Sequence, residues 1–294
     1  MHLRPLATVA CLLTLTMPLL AAEPAPVAYG DNAAAGGWAE VNGIRMYYES
    51  YGSGEPLLVI HGNGETLASM HFQIAHFAAR HRVIAVDSRG HGKSGLDTDR
   101  LNYVQMMEDY NSLLEQLQLK SVNVIGWSDG GILGLLLAIH HPDKVGKLAI
   151  MGANLRPDET AVNPWTAPLL APVSAMIDEK IRSGDTSQDW HRSRQLMDLL
   201  MTQPDIPVED LGRIQAPVLV MAGDRDIIRN EHTLEIFDNL PRAHLAILPG
   251  QTHWAPMNEP DHFNALVAKF FDTPYARPES RELLERALNP PAAD

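Results

Sequence analysis

The chain has 294 residues, 45% of them hydrophobic and 20% charged, ordinary values for a globular protein with a sizeable core and unlike those of disordered or fibrous chains. Its formal net charge is −13 and no run of Lys and Arg interrupts that excess, which argues against nucleic acid or anionic lipid as a partner and favours neutral or cationic small molecules. The length suits one large α/β domain or two small ones, so the motifs must decide.

The chain opens with His2 and Arg4, runs through the apolar stretch LATVACLLTLTMPLL over 6–20, and reaches Ala21 and Ala22. This reads as a secretory signal peptide over residues 1–22, cleaved near Ala22, because a membrane span needs roughly 20 apolar residues. The expectation is a periplasmic or secreted protein with no stable membrane insertion after leader removal. The only cysteine, Cys11, falls in the leader, so disulfides, a thiol nucleophile and Cys-based metal sites are excluded from the mature chain.

A Pro/Ala/Gly-rich linker is expected over 23–37, followed by strands at 38–41 and 44–49 that flank Asn42-Gly43, a two-residue hairpin signal. A strand at 57–61 (LLVIH) leads through a Gly-rich turn into a helix over 67–79. The rhythm repeats with strand 82–87, helix 103–119, strand 122–126, helix 130–140 and strand 147–151. Strands apolar on both faces, alternating with helices, indicate an α/β protein with a mostly parallel sheet. Over 154–210 the rhythm stops, and Pro157, Pro164, Pro168, Pro172, Pro204 and Pro207 punctuate short helical patterns; this segment is expected to be a helical lid. The rhythm resumes with strand 217–222, helix 231–240, strand 244–248 and helix 260–271, giving one core over 38–153 and 211–272. The tail, 273–294, carries one short amphipathic stretch at 281–288 and no chemical motif.

Gly126-Trp127-Ser128-Asp129-Gly130 fits G-x-S-x-G where an apolar strand gives way to a Gly-opened helix. A serine on so sharp a turn needs neighbours without side chains, and it sits at a helix N-terminus whose dipole favours a developing oxyanion. A serine hydroxyl is a weak nucleophile near neutral pH and needs a base oriented by a carboxylate. Gly223-Asp224-Arg225-Asp226 follows one strand and Gly250-Gln251-Thr252-His253 the next. Both stand at strand C-terminal ends, in the order Ser, acid, His, with His253 the base and Asp224 and Asp226 competing as the acid. His71, His76, His81, His140 and His141 lack the i, i+4 spacing with a glutamate that a helical zinc site shows. They read as surface or packing residues, and neither metal nor cofactor is expected. Trp165, Met176, Trp190, Met197 and Met201 in the lid, with Trp254 beside His253, fit an apolar acyl pocket or ordinary lid packing equally well; Trp165 and Trp254 are the substrate-binding candidates.

HGNG (61–64), DSRGHGKS (87–94), the serine turn, GDRD (223–226) and His253 together resemble the α/β-hydrolase superfamily over roughly residues 38–272. The resemblance implies an α/β-hydrolase fold with an inserted lid. It selects Asp226, since the family's acid commonly stands three residues past the strand-ending glycine. It also places an oxyanion hole at the main-chain N–H groups of Asn63 and Asp129. GWSDGG (126–131) with GAN (152–154) is similar to the biphenyl-hydrolase-like group that includes valacyclovir hydrolase, where the acid beside the serine holds the α-ammonium of amino-acid esters. By that likeness Asp129 would bind a cationic amino group, although an aspartate in the first turn of a helix is stabilised wherever it points. The expected activity is hydrolysis of small-molecule carboxylic esters through an acyl-enzyme. Carbon–carbon bond hydrolases and cofactor-free peroxidases share the same three residues, whereas dehalogenases and epoxide hydrolases of this fold place an aspartate where Ser128 stands. A non-catalytic binding protein on the scaffold is the remaining alternative, one for which a broken triad is the expected sign.

Overall fold

The computed structural model describes residues 27–289; the leader, Cys11 and the cleavage point near Ala22 lie outside the described residues. Among these residues eight strands form one sheet: β1 (Gly36–Val41), β2 (Ile44–Tyr51), β3 (Glu55–Ile60), β4 (His81–Val86), β5 (Val122–Trp127), β6 (Val145–Met151), β7 (Val218–Gly223) and β8 (Ala243–Leu248). Their spatial order is β1-β2-β4-β3-β5-β6-β7-β8. The β1–β2 and β2–β4 pairs are antiparallel and the remaining pairs parallel.

Successive residues of a strand point to opposite faces, so apolar residues at every position mean cover on both sides. In β4, Ile84 and Val86 enter one core and Val83 and Ala85 the other. The first core is built with α2 (Tyr103–Gln116), α3 (Asp129–His140) and α6 (Asn230–Asn239); the second with α1 (His71–Phe77) and α8 (Pro260–Asp272). Helix α2 shows how sequence sets position: Asn102 caps it by accepting from the Gln105 N–H, and Tyr103, Met106, Met107, Tyr110, Leu113 and Leu114 form a buried stripe. Arg89 and Asp109, both fully buried, pair at 2.6 Å, and Asp109 also accepts from Asn42 of the β1–β2 turn. That pair fastens the hairpin to α2.

Between β6 and β7 the chain leaves the sheet and forms α4 (Thr166–Arg182) and α5 (Trp190–Thr202), which pack on each other. The helix expected over 67–79 begins instead as a 3-10 turn, Leu67–Met70, capped by Thr66, with α1 following it. The helix from Tyr103 ends at Gln116, where Gln118 enters the left-handed region at φ 56. A four-residue helix, α7 (Ala255–Asn258), directly after Trp254 had no counterpart in the sequence reading. Helix α9 (Ser280–Leu288) closes the described chain with Leu283, Leu284 and Leu288 exposed. Among the described residues no helix is long and apolar enough to cross a membrane.

The expected linker needs correction. Its described part is tied to the sheet because the buried carboxylate of Glu49 accepts from the Gly30 and Asn32 N–H groups and from the Tyr47 and Tyr51 hydroxyls. A buried carboxylate without those donors would be costly, so residues 30–32 complete the fold rather than hang from it.

Candidate active site

Ser128 stands between β5 and α3 with φ 55 and ψ −118, a region that a non-glycine residue occupies only where its surroundings enforce it. The enforcement comes from close packing: a Cβ at Gly126 would lie 2.2 Å from the Gly130 carbonyl oxygen, and one at Gly130 would lie 2.2 Å from that of Ile60. The strand and helix thus approach through glycine, and the serine hydroxyl is lifted at the carboxyl edge of the sheet.

Three side chains meet there. His253 Nε2 lies 2.9 Å from Ser128 Oγ, and His253 Nδ1 lies 2.7 Å from Asp226 Oδ1. Asp226 is 3% exposed and accepts further from the Ile228 N–H at 3.0 Å and the Gly223 N–H at 3.2 Å. The structure pairs Asp226, not Asp224, with the histidine; Asp224 Oδ1 is buried without a partner among the described residues. Trp127 Nε1 donates to the His253 carbonyl at 2.7 Å, and Asn163, at the start of the lid, donates to the Asp226 carbonyl at 2.8 Å. With the carboxylate fixing Nδ1–H, Nε2 is free to take the serine proton.

The main-chain N–H groups of Asn63 and Asp129 make no hydrogen bond among the described residues. Both residues line the same cavity as Ser128. Free donors on the loop after β3 and in the first turn of α3 have the character an oxyanion site requires. His61, which opens this loop, accepts from the Ser88 N–H through Nε2 at 3.1 Å, and burial lowers its pKa to about 4. It is a neutral strut for the loop, and His91, packed on it, is pushed by burial to about 3.

The cavity has a volume of about 440 Å³ and is roofed by Thr166, Ala167 and Leu170 of α4 and Leu200 and Met201 of α5. Its walls carry four carboxylate side chains, Glu65, Asp129, Asp158 and Glu159, and, among the described residues, no Lys or Arg. Asp129 is 3% exposed. Burial pushes its carboxyl up to about 6, opposed by the Tyr103 hydroxyl, the Asn63 amide and nearby His253. Asn63 Nδ2 donates to Asp129 Oδ2 at 3.0 Å.

Trp254 lines the cavity and stays 44% exposed at its rim. Trp165 does not line it, which corrects its assignment as a substrate-binding residue. The inner face of α4 carries Thr166, Ala167 and Leu170, so helical periodicity turns Trp165, with Leu169, Val173 and Met176, outward. Of the other lid residues considered, Met201 alone reaches the cavity, while Met197 is buried behind it. Two site residues escaped the sequence reading, Tyr103 in the cavity wall with Asp129 and Asn163 behind Asp226, and the role of a third, Gly152, was not read. A Cβ on Gly152, at φ +65, would stand 2.6 Å from His253 Nδ1. The GAN motif did flag Gly152, but nothing local marks Tyr103 or Asn163. Among the described residues no cluster of His, Cys, Asp and Glu is disposed to hold a metal ion.

A serine, histidine and buried aspartate at the carboxyl edge of an eight-stranded, mostly parallel sheet define a serine hydrolase, and comparison with known proteins agrees with that class. The family model for the alpha/beta hydrolase fold matches residues 55–179. A putative carbamate hydrolase, RutD, of Caulobacter sp. (strain K31) is 30% identical over 227 residues, covering 67% of this chain and 83% of the relative. Serine hydrolase BPHL of Mus musculus is 27% identical over 267 residues, covering 83% and 89%. Among solved structures, the enol-lactonase from Burkholderia xenovorans LB400 superposes with a TM-score of 0.68 at 20% identity, covering 81% of this chain and all of that one. The chain belongs to the α/β-hydrolase family. Its relatives are hydrolases of several kinds, and this chain is a hydrolase.

Proposed function

We propose that the protein hydrolyses small carboxylic esters that carry a cationic amino group near the scissile carbonyl, with Ser128 as nucleophile. Ser128 Oγ attacks the carbonyl carbon as its proton passes to His253 Nε2. The Asn63 and Asp129 N–H groups receive the oxyanion, and the alcohol departs with the proton from His253. Water, deprotonated by His253, then attacks the acyl-enzyme and releases the acid and the free serine. Asp226 orients His253 throughout.

The observation that carries the substrate class is Asp129, a buried carboxylate one residue from the nucleophile in a cavity with no Lys or Arg in its walls. Such a group is stabilised by a cation that replaces lost solvent. Relatives named for dienoate substrates, such as 2-hydroxy-6-oxo-6-phenylhexa-2,4-dienoate hydrolase of Burkholderia cepacia, at 24% identity, act on carboxylates. Among the described residues this cavity offers a carboxylate substrate no Lys or Arg, which favours ester hydrolysis over that carbon–carbon chemistry.

The test compares aminoacyl esters with their N-acetylated counterparts, using wild type, Ser128→Ala and Asp129→Asn. The expected result is a burst of acyl-enzyme and a preference for the free amine of about tenfold or more, from a charge-assisted hydrogen bond worth roughly 1.5–3 kcal/mol. Turnover by S128A at the wild-type rate would refute the nucleophile, and equal rates on both esters would refute the ammonium site.

A further inference from the structure

The groups that flank Asp129 are themselves held by the lid. Asn63 Nδ2, besides donating to Asp129, donates at 3.2 Å to the main-chain carbonyl of Leu196 in the middle of α5. Tyr103, which lines the cavity with Asp129, is reached from Gln203, the C-cap of the same helix, by a different route. Its N–H donates to Gln203 Oε1 at 3.3 Å, and Gln203 Nε2 donates to the Leu101 carbonyl at 3.0 Å. Gln195 grips the same segment further upstream: its Oε1 accepts from the Leu101 N–H at 3.0 Å and its Nε2 donates to the Thr98 carbonyl at 2.9 Å. Three amide side chains, Asn63, Gln195 and Gln203, therefore join α5 and its C-cap to the segments that carry Asn63 and Tyr103. One of the three, Gln195, neither lines the cavity nor bonds to Asp129.

We infer that helix α5 sets the specificity of the site, holding Asn63 and Tyr103 so that the Asp129 carboxylate meets the substrate amine in one orientation, with Gln195 a positioning residue outside the cavity. This rests on the amine reading above. A carboxylate that accepts from a fixed amide and packs in a wall with Tyr103 presents its remaining lone pairs in a restricted direction, and an N–H···O contact between opposite charges has a narrow optimum near 2.7–2.9 Å. Slack of about 1 Å in such a group costs up to about 100-fold in rate. Loosening α5 therefore penalises substrates that use Asp129 more than those that do not.

The experiment measures kcat and KM for an aminoacyl ester and its N-acetyl counterpart in wild type, Gln195→Met, Gln195→Glu, Asn63→Ala and Asp129→Asn, and in D129N carrying Q195M. Q195M keeps the length of the side chain and loses both hydrogen bonds; Q195E keeps the acceptor for Leu101; N63A keeps the main-chain N–H. The expected result is that Q195M and N63A lower the preference for the free amine by about tenfold, chiefly by raising KM for the amino ester. Q195E restores part of it, and Q195M adds no further loss in D129N. A merely structural role would depress both substrates together and leave the preference intact. An intact preference in both Q195M and N63A, while D129N abolishes it, overturns the role of α5 and leaves the amine reading standing. A wild type without preference overturns both.

Discussion

Replacing Asp129 by asparagine isolates the cost of the buried charge. In the folded protein its carboxyl is pushed from 3.8 to about 6, with burial the largest cause; in the unfolded chain it titrates near 3.9. Between those values the folded state holds a proton that the unfolded state has released. Stability therefore falls as pH rises from about 4 to about 6 and stays lower above that window. Two units at ~1.4 kcal/mol each amount to about 3 kcal/mol of instability at pH 8. The dipole of α3 favours the ionised form by about 0.3–1 kcal/mol and trims that figure only in part. Asp129→Asn keeps an acceptor for the Asn63 amide and removes the charge, so urea unfolding at pH 8 should show the variant more stable by about 3 kcal/mol. Titratable groups common to both proteins cancel, and the difference should shrink towards zero by pH 4. A variant no more stable than wild type at pH 8, or a gain independent of pH, would refute the argument that the ionised carboxylate is held at the expense of stability. A large gain at pH 8 with the loss of amine preference would mark Asp129 as a binding group kept despite what it costs the fold.

Gly152→Ala introduces a Cβ 2.6 Å from His253 Nδ1 at a backbone angle of φ +65, and should lower kcat by about 100-fold with the far-UV circular dichroism unchanged; near-normal turnover would show that the histidine has room to shift. Arg89→Ala strands the fully buried Asp109 carboxylate and should cost about 3–5 kcal/mol in denaturant unfolding, with R89M/D109L recovering part of the loss. A cost below about 1 kcal/mol would mean that water reaches Asp109.

The parts of the site legible in the sequence are those fixed by local backbone geometry. Ser128 could be found because the strand, the two glycines and the helix that raise it lie within a few residues of one another. His253 and the Asp224/Asp226 pair follow strands, whose carboxyl ends converge in a parallel sheet. Choosing between the two acids needed the family resemblance, because their difference lies in which one the loop turns inward toward the Ile228 and Gly223 N–H groups. Tyr103 was not legible, since the apolar stripe of α2 accounts for it as a core residue and only tertiary packing brings it into the cavity with Asp129. Trp165 misled for a related reason: an aromatic near the lid suggests a pocket wall, but the rotation of α4 about its axis is set by packing on α5. The linker reading failed because its composition is that of a flexible segment, while the buried carboxylate that fastens it stands in β2.

The absence of basic side chains from the cavity walls bears on the end of the reaction as well as the beginning. If the substrate is an ester as proposed, its cleavage converts a neutral carbonyl group into an anion in a cavity lined by Asp129, Glu65, Asp158 and Glu159 and, among the described residues, by no Lys or Arg. Like charges in a partly enclosed, low-dielectric space repel strongly. On the proposed reading, the carboxylates that draw a cationic ester in repel the carboxylate of the product, while its ammonium keeps the contact with Asp129, so release is set by the balance of the two.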